Sequence, residues 1–172
     1  MLCTGYRYEF PFLDPTVVSV RDNHVRLLYK HMLPPRAPTL ALLGIPSKII
    51  PFPQFELQAK YVTAVFSGKV PLPPAADMEA DAAAEVAIKR AAGVPAKYLH
   101  VQGDEQFAYN AALAALVGAP PPPPWRELMY AQSGRNKRDN PDGYRDALLP
   151  TVEQYEAMLA VQAAGGGGGS RP

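Results

Sequence analysis

Every extended, apolar run in this chain precedes residue 51, and every stretch with helical spacing follows it. That segregated order belongs to an α+β architecture and departs from the strand–helix–strand alternation of a self-contained nucleotide-binding fold. Residues 17–20 (Val-Val-Ser-Val) and 25–29 (Val-Arg-Leu-Leu-Tyr) flank Asp22 and Asn23. Both of these tolerate left-handed backbone, so a β-hairpin is expected. Residues 40–45 (Leu-Ala-Leu-Leu-Gly-Ile) are continuously apolar apart from the glycine, as expected of a strand buried on both faces.

The period changes at residue 51. Pro51 and Pro53 suit a first helical turn, and Phe55, Ala59, Val62 and Phe66 recur at helical spacing. Leu57, Tyr61 and Val65 form a neighbouring stripe, so this helix is expected to be apolar over most of its circumference and buried. Gly68 is its expected C-cap. Alanine-rich helices are then expected over residues 75–92, from a cap at Asp104 to Val117, over 125–133 and over 151–163. Five prolines at 120–124 separate two of them, and Gly165 to Gly169 begin a flexible tail. The expected fold class is an α+β fragment with a short β-hairpin and one buried strand, followed by a group of α-helices. The expected regions are 1–73, a helical region 74–163 and a glycine-rich tail 164–172.

Composition narrows the function classes. The 17 Lys and Arg are scattered and the formal net charge is +1, which argues against nucleic acid as a partner. Residues 135–138 read as a solvated helix end. No apolar run approaches twenty residues, so no membrane span is expected. Cys3 is the only cysteine, so it has no partner within the chain and a reducing, cytoplasmic setting is expected.

Catalytic signatures are missing: there is no GxGxxG, P-loop, nucleophile elbow or metal-ligand cluster. His24, His31 and His100 are widely spaced, and His31, at the end of a β-type run, reads as a loop or hydrogen-bonded structural histidine; Glu79, Asp81 and Glu85 read as the solvated face of a helix. Two places could approach a ligand closely. One is Thr4-Gly5 at a strand end, where a glycine removes the obstructing Cβ. The other is Gly44, followed by a helix N-terminus with its positive dipole end. Each also has a bland reading as an ordinary turn.

Taken in order, these segments resemble the flavin-containing monooxygenases, especially the plant branch related to the glucosinolate S-oxygenases. Leu2-Cys3-Thr4-Gly5-Tyr6 resembles the family's (F/L)-(A/C)-T-G-Y segment, and Phe10-Pro11-Phe12-Leu13 continues it. Leu28-Tyr29-Lys30-His31 with Pro34-Pro35 is similar to its LYKH…PP stretch. Residues 40–46 are similar to its L-x-F-I-G-L-P strand, residues 50–60 to its PFPxFELQxK helix, and residues 67–73 to its SGxxPLP exit. Gly103-Asp104, Gln106 to Tyr109, Trp125-Arg126 and Tyr144 to Asp146 extend the likeness, which covers roughly residues 1–146.

The resemblance implies an enzyme that binds FAD and NADPH in two Rossmann-like domains. Such an enzyme transfers one oxygen atom to a soft nitrogen or sulfur nucleophile through a flavin C4a-hydroperoxide. Residues 40–44 would be the last strand of the FAD domain. Thr4 and Gly5 would lie near the connection between the two domains, and Gln58 would contact the flavin. The resemblance also implies that the pyrophosphate-binding glycine loops and the active-site Asn lie before Met1. A chain starting inside a strand is thus expected to be the C-terminal portion of something longer, inactive alone, with an exposed apolar surface at residues 40–66 through which it self-associates. Other readings are an inert truncated product, an interaction module built on the helices and the polyproline run, or an unrelated small binding domain.

Overall fold

The computed structural model describes residues 5–165. The chain packs as two compact units divided between Ala119 and Pro120. In the first unit, β1 (Val20–Arg21) and β2 (His24–Val25) form an antiparallel ribbon with Val20 opposite Val25 and Arg21 opposite His24. Asp22 (φ 54°) and Asn23 (φ 57°) are both left-handed. That backbone matches the twist of the flanking strands, so the predicted hairpin forms. It is shorter than its apolar runs because Leu27, at φ 52°, breaks the extended backbone just after Arg26 N–H donates to Ser19 O.

Residues 40–45 do not pair into a ladder among the described residues. The backbone there makes a few single hydrogen bonds, such as Leu42 N–H to Met32 O at 2.9 Å. Leu43 is 47% exposed, so the expected two-sided burial is not met within this chain. The physical reason is that an apolar run reports a demand for burial, whereas a ladder needs neighbouring strands. Just beyond, Ser47 bridges to Val101, donating to His100 O at 2.9 Å and accepting from Gln102 N–H at 3.1 Å.

Helix α1 (Pro51–Phe66) starts on its prolines as expected. It ends in a Schellman motif: Gly68 (φ 73°) donates to Val65 O, and Lys69 N–H donates to Ala64 O at 2.9 Å. Helices α2 (Ala75–Ala91) and α3 (Glu105–Leu116) end the same way, on Gly93 and Gly118. A short 3-10 turn (Ala96–Tyr98) joins them. Helix α1 is buried on one face rather than all round. Gln54, Leu57, Gln58, Tyr61 and Val62 are covered, while Phe52 and Phe66 are 83% and 52% exposed. The main core joins Leu57, Tyr61 and Val62 to Tyr29, Met32 and Leu33, to Met78 of α2 and to Leu113 and Ala114 of α3. A smaller core of Val18, Val25, Leu28 and Ile45 lies under the hairpin. Each such aliphatic side chain contributes about 1.5–3 kcal/mol when fully buried.

The second unit contains α4 (Trp125–Asp139) and α5 (Val152–Gly165), which pack on each other, with Tyr155 buried. Helix α4 runs well past residue 133, and Lys137 and Arg138 lie in its last turn, where cations complement the helix dipole. No helix among the described residues is long and apolar enough to cross a membrane.

Candidate functional site

Of the four residues singled out from sequence, Thr4 lies outside the described residues. Gly5 has φ 80°, is exposed, and has open space where a Cβ would stand. Gly44 and Gln58 are brought together. Gly44 N–H donates to Gln58 Oε1 at 3.0 Å, and Gln58 Nε2 donates to Tyr109 OH at 2.9 Å. The Tyr109 hydroxyl in turn donates to Lys30 O at 2.8 Å. Both arms of the fully buried Gln58 amide are thus engaged, joining the loop at Gly44 to α1, α3 and the turn at Lys30. Burial raises the Tyr109 phenol far above its ordinary range, so it stays a neutral donor.

Gly44 needs to be a glycine for two reasons visible here. Its φ is 81°, and a Cβ would stand 3.1 Å from Phe55 Cζ. The ring of Phe55 therefore fills the space that the missing side chain leaves. What remains open is the other side: Leu43 is 47% exposed, and Phe52, one turn before Phe55, is 83% exposed.

The N-terminus of α1 offers few hydrogen-bond donors. Four orphan N–H groups are normal there, but Pro51 and Pro53 have none. Ile50 N–H is taken by Gln106 Oε1 at 2.7 Å. Among the described residues, the Phe52 N–H is the one of these four that remains. An apolar edge, one N–H and a helix dipole suit a flat, partly polar ring; a phosphate, which seeks several converging N–H groups, finds no match.

A second constellation joins residues that sequence reasoning read as separate. His31 Nδ1 is 3.1 Å from His100 Nδ1, and His31 Nε2 is 2.8 Å from Glu85 Oε1. The His24 ring lies 4.6 Å from that of His100. All three histidines are buried, and with Glu85 and Leu99 they line a cavity of about 10 Å³, room for about one water. Burial, then Arg90, Arg26 and His31, push the His24 pKa down. Burial, His31 and His24 push that of His100 down to about 3. Burial alone would raise the Glu85 carboxyl; the hydrogen bond from His31 and the charges of His31 and Lys89 outweigh it, and the pKa falls. Lys30 (φ 49°) and His31 (φ 56°) are both left-handed, a strained pair that aims the His31 ring inward. The acidic face of α2 is correspondingly not simply solvated. Glu79 pairs with Arg36 at 2.7 Å, Asp81 with Lys30 at 3.7 Å, and Glu85 with His31.

His31 is hydrogen-bonded, as expected, but the proximity of the three histidines was not foreseen. The signal for Glu85 was its place with Met78, Ala82 and Lys89 on one helical stripe, three of which are buried. No group of three or more His, Cys, Asp or Glu among the described residues is arranged to hold a metal ion.

Known proteins agree with the sequence resemblance. The pattern of the family described as flavin-binding monooxygenase-like matches residues 1–131. Flavin-containing monooxygenase FMO GS-OX-like 2 of Arabidopsis thaliana is 46% identical over 175 residues, covering 95% of this chain and 37% of that protein. GS-OX-like 5 of the same plant is 43% identical, covering 85% of this chain and 33% of its own length. Among solved structures, S-allyl-L-cysteine S-oxygenase from Allium sativum superposes with a TM-score of 0.83 at 42% identity, covering 93% of this chain and 36% of that one. The chain spans about a third of the length of the relatives it matches. It belongs to the flavin-binding monooxygenase-like family.

Proposed function

We propose that this chain is the C-terminal third of an FAD- and NADPH-dependent monooxygenase that oxygenates a soft nitrogen or sulfur atom of a small molecule. Without the rest of that fold it is inactive. The observation that carries the reading is the junction of Gly44, Gln58 and the α1 N-terminus, where an exposed apolar edge meets a single free N–H. A flavin bound there supplies oxygen activation after reduction by NADPH. The residues of this chain hold and orient. Gln58 fixes the Gly44 backbone; the Phe52 N–H and the α1 dipole would favour a polar edge of the bound ring, and the exposed Leu43 and Phe52 would exclude water from it. Thr4 and Gly5 belong to the cofactor surface by their sequence position. The adenine and pyrophosphate ends need glycine-rich loops that this sequence lacks. The lone cysteine suits a reducing, cytoplasmic setting. The exposed Leu43, Phe52 and Phe66 favour self-association when the isolated chain is concentrated.

The test is a chimera in which this chain replaces the matching third of a GS-OX-like relative. Flavin retention and NADPH-dependent oxygenation of a thioether would support the reading. A chimera that folds but holds no flavin would refute it. A yellow isolated chain that oxidises NADPH alone would overturn the claim that the chain is inactive by itself.

A further inference from the structure

The oxygenation reading leaves the three histidines unused, and their geometry has a consequence of its own. In the hairpin, hydrogen-bonded and non-bonded pairs alternate. The turn at Asp22–Asn23 closes on Arg21 and His24, and Ser19 bonds Arg26. Val25 is therefore in the non-bonded pair with Val20, and its N–H and C=O face away from β1. Both meet a single atom: His100 Nε2 lies 3.2 Å from Val25 N and 3.1 Å from Val25 O. An imidazole nitrogen either accepts or carries a proton, so it serves only one of the two at a time.

The rest of the chain follows from its distances. Glu85 as a carboxylate only accepts, so His31 Nε2, 2.8 Å away, carries a proton. Between His31 Nδ1 and His100 Nδ1, at 3.1 Å, one must donate and the other accept. In the neutral arrangement Val25 N–H donates to His100 Nε2, His100 Nδ1–H donates to His31 Nδ1, and His31 Nε2–H donates to Glu85. When one proton enters at His100 Nε2, the His100 Nδ1 proton passes to His31 Nδ1. His31 is then an imidazolium against the Glu85 carboxylate, and His100, still neutral, donates Nε2–H to Val25 O. One proton is gained, no other bond changes, and the hydrogen bonds along the chain from Val25 to His31 reverse.

We propose that Val25, His100, His31 and Glu85 form a one-proton switch between the hairpin edge and α2, with His100 changing tautomer as His31 gains the proton. The surroundings admit one proton and resist a second. From the hairpin, His24 opposes positive charge at His100, and Arg26 and, from α2, Arg90 oppose it at His24. Lys89 lies 3.5 Å from Glu85 and is itself paired with Glu105 of α3 at 3.0 Å. Tyr109 stands edge-on to His31 and Tyr8 edge-on to His100, both uncharged. His100, held down to about 3 by burial and by its neighbouring histidines, stays neutral throughout. The switch rests on the fold alone and is independent of flavin.

The test is nitrogen-15 NMR of the imidazoles in the full chain, between about pH 8 and pH 5, where histidine changes charge. The expected result is that His100 moves from the Nδ1–H to the Nε2–H tautomer at the same midpoint at which His31 becomes an imidazolium. Glu85→Gln removes the carboxylate that faces His31 Nε2 and should leave His100 in its Nδ1–H tautomer through the same range. A His100 that keeps one tautomer through the titration overturns the proposal, as does a His100 that becomes doubly protonated with His31. A His100 that still changes tautomer in Glu85→Gln does so too. If that variant does not fold, the tautomers of the unaltered chain decide the matter.

Discussion

Gly44 and Gln58 are joined by one hydrogen bond, from the glycine N–H to the amide oxygen at 3.0 Å, across fourteen residues of sequence. The other arm of that amide reaches Tyr109 OH. Gln58→Leu keeps the volume roughly and removes both partners, leaving the Gly44 N–H and one side of the Tyr109 hydroxyl unsatisfied. The expected loss is about 2–4 kcal/mol, each orphaned group costing about 1–3 kcal/mol. Urea unfolding of the variant checks it; a midpoint equal to that of the unaltered chain would mean that solvent reaches both groups.

Gly44 also separates two kinds of glycine requirement. Gly44→Ala meets a positive φ and a ring atom at 3.1 Å, whereas Gly68→Ala meets a positive φ of 73° in open space. The Gly68 variant should lose about 1–2 kcal/mol from the left-handed backbone alone. Gly44→Ala should lose more, and the excess should shrink in a Phe55→Leu background, since the two residues share one contact. Additive losses in that double-mutant cycle would show that the ring gives way freely.

These contacts also mark what could be read from the sequence. The hairpin turn at Asp22 and Asn23 and the start of α1 on Pro51 were legible because backbone conformation there is decided by adjacent residues. The run at 40–45 was legible as apolar but not as unpaired, because pairing depends on strands elsewhere. The face of α1 that is covered carries Gln54 and Gln58, polar residues that hydropathy spacing places outside. They are buried because each finds a partner in the segment 102–109, with Gln54 Nε2 donating to Gln102 Oε1 at 2.8 Å. Nothing local announces such a partner. The same holds for His31 and His100, sixty-nine residues apart in sequence and joined only by the way α2 and the 3-10 turn return the chain to the hairpin.

Lys89 is 9% exposed, and its ammonium donates to Val101 O at 2.9 Å and Leu99 O at 3.3 Å and pairs with Glu105 at 3.0 Å. Lys89→Met should cost about 3–5 kcal/mol, because it strands two carbonyls and leaves Glu85 with one cation fewer. Lys60→Met, which removes an exposed pair with Glu56 at 2.6 Å, should cost no more than about 0.5 kcal/mol. Comparable losses in thermal unfolding at the two positions would contradict this ranking.

Acid should destabilise the first unit, and the sign follows from the direction of three shifts. His100 has a folded pKa of about 3 against an ordinary 6.5, so between those values the unfolded chain binds a proton that the folded chain refuses. The His100 contribution is flat above pH 6.5 and falls as the pH drops below it, by up to about 1.4 kcal/mol per unit. His24, also lowered, begins to act in the same direction at the same upper limit. Glu85 is lowered from 4.5, so the stability it contributes is present above that value and is lost as pH falls through its folded pKa. The two histidines act together below about pH 6 and Glu85 adds to them below about 4.5, which predicts a decline that steepens as the pH falls. Replacing His100 by Gln, which cannot titrate, should lower stability at pH 7.5 by breaking the bonds to His31 and Val25. It should also make the decline from pH 6 to pH 4 shallower. Urea midpoints collected across that range give both slopes, and parallel slopes for the two proteins would remove His100 from the acid response.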